Sequence, residues 1–395
     1  MNYTYDYISK ELSPMDLQNE LLNRIKDYNR LRGTYLLVYT TTTNKGVPDA
    51  HVTQDDYYII RDMLADKKGK VGLDVYLETP GGSGEAAEQI VDFFHANFPK
   101  VTFVIAGAAM SAGTIMALGG DEIMMTETGS LGPIDAQVTI GRSVQSAYDY
   151  VEWIDSKIQE AAAKGSLNPV DAVMIAQITP GELGGVKQAL QFAKDLVVKW
   201  LPEHKFKNWV ATETTNKPVT AEFKEIRAKE IAETLCDHGK WRSHGRSLKK
   251  KELIFDIQLK ITDIDADLSL SNIVYRIHAL CRLLCEMTPT YKIFATEDAK
   301  IFKTSAPRGI PSVPGNLNQA DVIQLEAACP KCGRHHKYYG KFIENKSKDE
   351  EMIKNGFNPI PKDKKIRCDC GFELDLQGPI NDIEASAGKK ILYST

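Results

Sequence analysis

The feature that most constrains this chain is a glycine-rich break between a strand and a helix. Residues 73–77 are β-rich and apolar, and they run into Glu78-Thr79-Pro80-Gly81-Gly82-Ser83-Gly84, which cannot continue a strand. Ala86, Ala87, Ile90, Val91 and Phe94 then recur at helical spacing. The order repeats: residues 101–105 read as a buried strand, 106–110 as a turn of small residues, 111–118 as a helix and 122–126 as a short strand. Such alternation predicts an α/β domain with a mostly parallel sheet and helices on its faces. In sheets of this kind chemistry collects where strand ends meet helix starts, and both turns fall there.

Upstream, Ser13 can cap a helix whose first turn suits Pro14; Leu17, Leu21, Leu22, Ile25 and Tyr28 give its apolar face, and Gly33 stops it. Residues 35–41 read as a strand, and Tyr58, Ile59, Met63 and Leu64 mark a second helix. Residues 143–200 read as long helices broken near Gly165 and Pro180, with further helices at about 221–236 and 265–288. Residues 304–320 carry three Pro and two Gly among few apolar residues, the pattern of a linker. The expected organisation is a helical segment at 1–34, the α/β domain at 35–260, a helical extension at 261–303, the linker at 304–320 and a small domain at 321–395.

With 395 residues, 43% of them hydrophobic and 26% charged, the composition excludes a disordered or collagen-like chain. Forty-nine basic residues against 53 acidic ones leave no excess that would draw nucleic acid or an anionic membrane. The first thirteen residues lack the basic and apolar regions of a signal peptide, and no apolar run reaches the ~18 residues of a transmembrane helix. Seven Cys, four of them in close pairs, suit a reducing compartment better than a disulfide framework. A cytoplasmic protein with no transmembrane segment is expected.

The residue with the most chemical promise is Ser111, in Gly107-Ala108-Ala109-Met110-Ser111-Ala112-Gly113. A serine at a tight strand-to-helix turn projects its hydroxyl at the sheet edge, and the amide after it can face a developing oxyanion. The Pro80-Gly81-Gly82 turn, at the end of the neighbouring strand, offers a second amide. The plainer alternatives are a serine that caps a helix and a tight βα turn. A phosphate-binding turn lacks the further Gly of a dinucleotide fingerprint and any Gly-Lys-Ser/Thr.

Taken in order, Leu77-Glu78-Thr79-Pro80-Gly81-Gly82, Ala109-Met110-Ser111-Ala112-Gly113-Thr114, Asp121-Glu122-Ile123 and Leu131-Gly132-Pro133-Ile134-Asp135 resemble the Clp protease/crotonase superfamily. Within it they look closest to the serine dehydrogenase proteinase family, relatives of signal peptide peptidase A. The resemblance covers roughly residues 15–260 and includes Gly239-Lys240-Trp241-Arg242-Ser243-His244. It implies Clp/crotonase-like stacked βα units, a homo-oligomer, and a serine peptidase acting on peptide or protein substrates. Ser111 would be the nucleophile, and the amides of Gly82 and Ala112 the oxyanion hole.

The general base stays open at this stage, because Asp135 stands where the Clp proteolytic subunit has its histidine. His244 could serve with Asp135 orienting it. Lys157 or Lys164 could serve as in a Ser-Lys dyad, although the usual Ser-Gly-x-x-Lys context is missing. In a third reading Asp135 and His244 are structural. The corresponding functional alternatives are an inactive Clp-like scaffold and a crotonase-like acyl-thioester enzyme, in which paired amides hold an enolate oxygen.

Cys329-Pro330-Lys331-Cys332-Gly333 and Cys368-Asp369-Cys370-Gly371 read as two knuckles whose four thiolates close a structural zinc site. His335 and His336 are spare ligands. A small zinc-ribbon-like domain is expected, with too few large apolar residues for a secure core, so that Zn2+ binding would contribute much of its folding energy. Lys337-Tyr338-Tyr339-Gly340-Lys341 offers aromatic and basic contacts to a protein or nucleic-acid partner, or is simply an exposed strand. Cys281 and Cys285, four apart on an apolar helix face, read as core.

Overall fold

The central strands are apolar on both faces, and the structure, a computed structural model, buries both. It describes residues 2–393 except 11, 68, 70, 141–142, 213–214, 306–320, 330–331, 333, 378–379, 381–382 and 385–388. The chain divides into two units, Met1–Lys303 and Thr304–Thr395. From residue 306 onward the expected linker lies outside the described residues.

In the first unit β1 (Tyr35–Thr41), β2 (Leu73–Glu78), β3 (Val101–Ile105), β4 (Glu122–Met125) and β5 (Thr262–Asp263) pair in parallel. Beyond β1 lie β6 (Thr290–Ala295), antiparallel to it, and then β7 (Lys300–Thr304). The seven-stranded order is β7-β6-β1-β2-β3-β4-β5. Alternate side chains feed two cores, as the period of two requires. Leu37, Tyr39, Val75, Leu77, Phe103 and Ile105 pack with Ile90, Phe94, Leu118 and Trp200 on one face. On the other, Leu36, Val38, Tyr76 and Val104 pack with the helices Pro14–Arg32 and Leu268–Met287.

The helix in segment 1–34 begins in a capping box between Ser13 and Asp16, and it buries Leu17, Leu21, Ile25 and Tyr28 in the second core. Residues 261–303 hold, besides the expected helix, the strands β5 and β6 and most of β7. The strands escaped the sequence reading because β6 follows a long helix with only a short break and joins the sheet far from its neighbours in sequence.

Polar groups inside this sheet are paired. Asp74, 1% exposed, accepts from the Tyr28 hydroxyl (2.7 Å), Thr34 Oγ1 (2.9 Å) and Arg32 Nε (3.2 Å). Asp56 and Lys292, both fully buried, form an ion pair at 2.8 Å, and Asp56 also accepts from the Tyr39 hydroxyl and the Thr53 amide. Removing one member of such a pair strands the other charge. Lys292→Met is therefore expected to lower stability by about 3–5 kcal/mol, read by urea denaturation; a change below about 1 kcal/mol would mean that Asp56 is already satisfied without the cation.

The second unit holds an antiparallel pair, Val322–Ala328 with His335–Lys341, and a hairpin of Lys365–Arg367 with Glu373–Asp375. It has a core of its own, in which Ile323, Leu325, Phe342, Ile360, Ile366 and Leu376 pack together. This core is larger than the sequence suggested, because the isoleucines are dispersed in sequence and converge only in the folded unit. Tyr339 is buried as well, and Lys341 is buried against Glu344 and Asp349. That aromatic and basic stretch thus commits three of its five residues, Tyr339, Gly340 and Lys341, to the interior.

Candidate active site

A ribbon of short pairings lines up four loops beside the ends of β2 and β3. The Thr79 amide donates to Ala108 O (2.8 Å), and Thr79 O accepts from Met110 N (2.9 Å). Ala108–Ala109 pairs in parallel with Ser130–Leu131, and Leu131 exchanges both backbone hydrogen bonds with Leu248 (3.0 and 2.8 Å). Gly81, Ser111, Asp135 and His244 each lie within four residues of this ribbon, which is how positions remote in sequence reach one sheet edge.

Ser111 precedes the Ala112–Leu118 helix with φ 48° and ψ −113°, a strained conformation for a residue with a side chain. Its hydroxyl does not cap that helix, so the capping alternative fails on geometry. Gly81 leaves room for it: a Cβ there would sit 2.8 Å from Ser111 Cβ. Gly82 has φ 148°, and a Cβ on it would meet the Val52 amide at 2.4 Å, because Gly81 O and Ser83 N both bond Val52. Among the described residues the amides of Gly82 and Ala112 donate to no other group. Gly82→Ala is expected to displace this turn and lower stability by about 1–3 kcal/mol in urea denaturation; an unchanged midpoint would contradict the crowding against Val52.

Asp135 is fully buried and accepts from His244 Nδ1 at 2.8 Å and from the Gln137 side-chain amide at 3.2 Å. A carboxylate accepting at Nδ1 assigns the proton there and leaves Nε2 with a lone pair, the tautomer a general base needs. The imidazole is 26% exposed. Its loop is held by Trp241, buried in the core with its indole N–H on Thr234 O (2.6 Å).

Lys157 is placed differently. It lies on the helix Ala147–Lys164, between Asp171 (2.8 Å) and Glu160 (3.0 Å), and bonds to Asp171 and then Glu160 raise its pKa above the ordinary lysine value. A base in a Ser-Lys dyad needs the opposite shift. Lys164 pairs with Glu160 at 2.9 Å. Cys236, the other nucleophile in this region, is pushed up to about 12, chiefly by burial.

One group went unnoticed in the sequence. Glu78, at the end of β2 immediately before the glycine turn, accepts from the Tyr76 hydroxyl at 3.1 Å, and that oxygen lies 2.8 Å from His278 Nδ1. Tyr76 and Glu78 share a strand face by simple alternation, but His278 comes from a helix some two hundred residues later. No local pattern links them.

In the second unit the sulfur atoms of Cys329, Cys332, Cys368 and Cys370 all lie within 4.8 Å of one another, with Cys329–Cys370 and Cys332–Cys368 at 3.5 Å. Zn–S bonds of about 2.3 Å give a tetrahedral edge of about 3.8 Å, so the donor set and its spread fit Zn2+. Gly371, with φ 80°, donates to Cys368 O and closes one knuckle.

A largely parallel α/β sheet with a strained serine at a strand-to-helix turn is an arrangement used by serine hydrolases. Residues 48–180 match the family model of the ClpP-like SDH-type serine proteinases. Two uncharacterized proteins of Methanocaldococcus jannaschii are similar to parts of the chain. One is 31% identical over 122 residues, covering 30% of this chain and 42% of its own length. The other is 38% identical over 85 residues, covering 22% and 29%. The chain thus spans less than half the length of these curated relatives. Among solved structures, two mutants of the 1510-N membrane-bound stomatin-specific protease are similar at 16% and 15% identity, with TM-scores of 0.31 and 0.30. They cover 56% and 54% of this chain, and 80% and 70% of their own. Among the described residues no helix is long and apolar enough to cross a membrane.

Proposed function

We propose that this chain is a serine peptidase that cleaves peptide bonds in peptide or protein substrates. The observation that carries the reading is the 2.8 Å bond from His244 to buried Asp135, on a loop paired with the strand segment next to Ser111. Ser111 Oγ attacks the scissile carbonyl as His244 Nε2 takes its proton, and Asp135 holds the ring and balances the imidazolium. The amides of Gly82 and Ala112 receive the oxyanion, where each such donor contributes about 3–4 kcal/mol of transition-state stabilisation. His244 then protonates the departing amine, and water hydrolyses the acyl-enzyme by the reverse sequence. The clamped state of Lys157 favours the histidine reading over a Ser-Lys dyad.

Incubating the full chain with an unstructured polypeptide and, separately, with an enoyl thioester tests this reading. Peptide fragments detected by mass spectrometry support it; hydration of the thioester without proteolysis would favour the crotonase-like alternative.

We assign the four cysteines a structural Zn2+ that ties the two knuckles of the second unit together. The metal supplies cross-linking alone, and the cysteines supply the charge that holds it. Because Ile323, Leu325 and their neighbours pack into a core of their own, Cys368→Ser is expected to weaken this unit rather than abolish its strands. Its melting should fall by more than about 10 °C, followed through hydrogen exchange of the 335–341 strand. Unchanged exchange would argue against a structural metal.

A further inference from the structure

The Asp121 amide donates to Val101 O at the start of β3, so this residue stands at the opposite strand ends from Ser111. There three elements converge on a second cluster. His95 lies in the last turn of the helix Gly84–Asn97, Asp121 immediately before β4, and His204 in the π-helical turn Leu201–Lys205. Turns of that type are rare and gather at functional sites. All three side chains are only partly exposed, at 15%, 23% and 18%.

The hydrogen bonds around His95 decide what its ring presents. His95 Nε2 lies 2.6 Å from Gly119 O, and a carbonyl can only accept, so Nε2 carries the proton. The other nitrogen, Nδ1, of the neutral ring then bears a lone pair, and it faces Asp121 Oδ2 at 4.0 Å. That distance is too long for a hydrogen bond. It is about twice a metal–ligand bond of ~2.0–2.1 Å. Asp121 is itself oriented, since Oδ2 accepts from the Val101 amide at 2.8 Å. The His204 ring stacks on His95, with centroids 3.4 Å apart and planes 3° apart. One ligand atom from each residue falls within a 4.8 Å cluster, and Glu203 Oε2 is 3.9 Å from His204 Nε2.

We propose that His95, Asp121 and His204 form a site for a divalent first-row transition metal of the Zn2+ class, separate from the four-cysteine cluster. Two imidazoles and one carboxylate suit such an ion, whereas Mg2+ and Ca2+ take oxygen ligands. The carbonyl of Gly119 on the far nitrogen of His95 is the outer partner that metal-bound imidazoles typically have. Imidazole ligands bind in the ring plane, so the stacked rings splay when both lone pairs meet one ion, and water fills the remaining positions. The ion joins a helix end, the turn before β4 and the π-helical turn.

The test is the zinc content of the full chain after equilibration with ZnCl2 and desalting, measured by native mass spectrometry for wild type, His204→Gln and Asp121→Asn. Asparagine keeps an oxygen for the Val101 amide, so this variant retains the structural hydrogen bond while losing the anionic ligand. Each variant is expected to carry one zinc fewer than wild type, and zinc is expected to raise the melting temperature of wild type more than that of either variant. Equal zinc content in wild type and both variants would overturn the proposal.

Discussion

Ser111→Ala is expected to reduce peptide turnover by roughly 10^4–10^6-fold while leaving the fold intact. The hydroxyl caps no helix, and alanine occupies the same backbone conformation with a smaller side chain, so the substitution removes chemistry without removing packing. A sharper form of the prediction uses glycine. Because φ of 48° costs a residue with a Cβ but not glycine, Ser111→Gly should raise stability by about 1 kcal/mol in urea denaturation even as activity disappears. Opposite movements of stability and activity at one residue are the signature of strain held for function. Stability unchanged or lowered in the glycine variant would mean that the turn is relaxed as built.

The second large effect concerns the pair behind the serine. His244→Ala should cost about as much as Ser111→Ala, and the double variant little more than either alone, because the two groups act in one proton transfer. Asp135→Asn is expected to lower turnover by about 10^4-fold, since an amide presents a donor where His244 needs an acceptor and the imidazole turns to the wrong tautomer. The same substitution removes a charge-assisted hydrogen bond at a fully buried site, worth about 1.5–3 kcal/mol, so loss of activity and a lowered urea midpoint should appear together. Steady-state kinetics on one peptide substrate distinguishes the cases. A Lys157→Ala variant that loses activity while His244→Ala keeps it would reverse the assignment of the base.

Much of the first unit was legible because its signals are local. The glycine turn after β2, the short apolar strands and the Ser13 cap each declare themselves within a few residues. What stayed hidden depends on contacts between distant segments. Residues 261–303 carry an unmistakable helix, yet only pairing with β1 shows that Thr290–Ala295 belongs to the same sheet. Ser111 stood out in the sequence from its small neighbours, whereas the proposed preference for His244 over Lys157 rests on contacts between distant segments. Leu131 pairs with Leu248, and Asp171 reaches Lys157 from another helix, and neither contact is encoded by a spacing rule. The four cysteines were readable as two knuckles, but the core beside them was not, because Ile323, Ile360 and Ile366 sit on separate strands and loops. His95, Asp121 and His204 left no motif, since a helix end, a turn and a π-helical bulge bring them together.

The most direct measurement is reaction of the folded, zinc-loaded chain with a fluorophosphonate, followed by mapping of the adduct by mass spectrometry. The account predicts a single adduct on Ser111, formed slowly or not at all in His244→Ala and at close to the wild-type rate in Lys157→Ala. An unlabelled wild-type protein across neutral pH, or an adduct on any other residue, would contradict the central claim that Ser111 is an activated nucleophile.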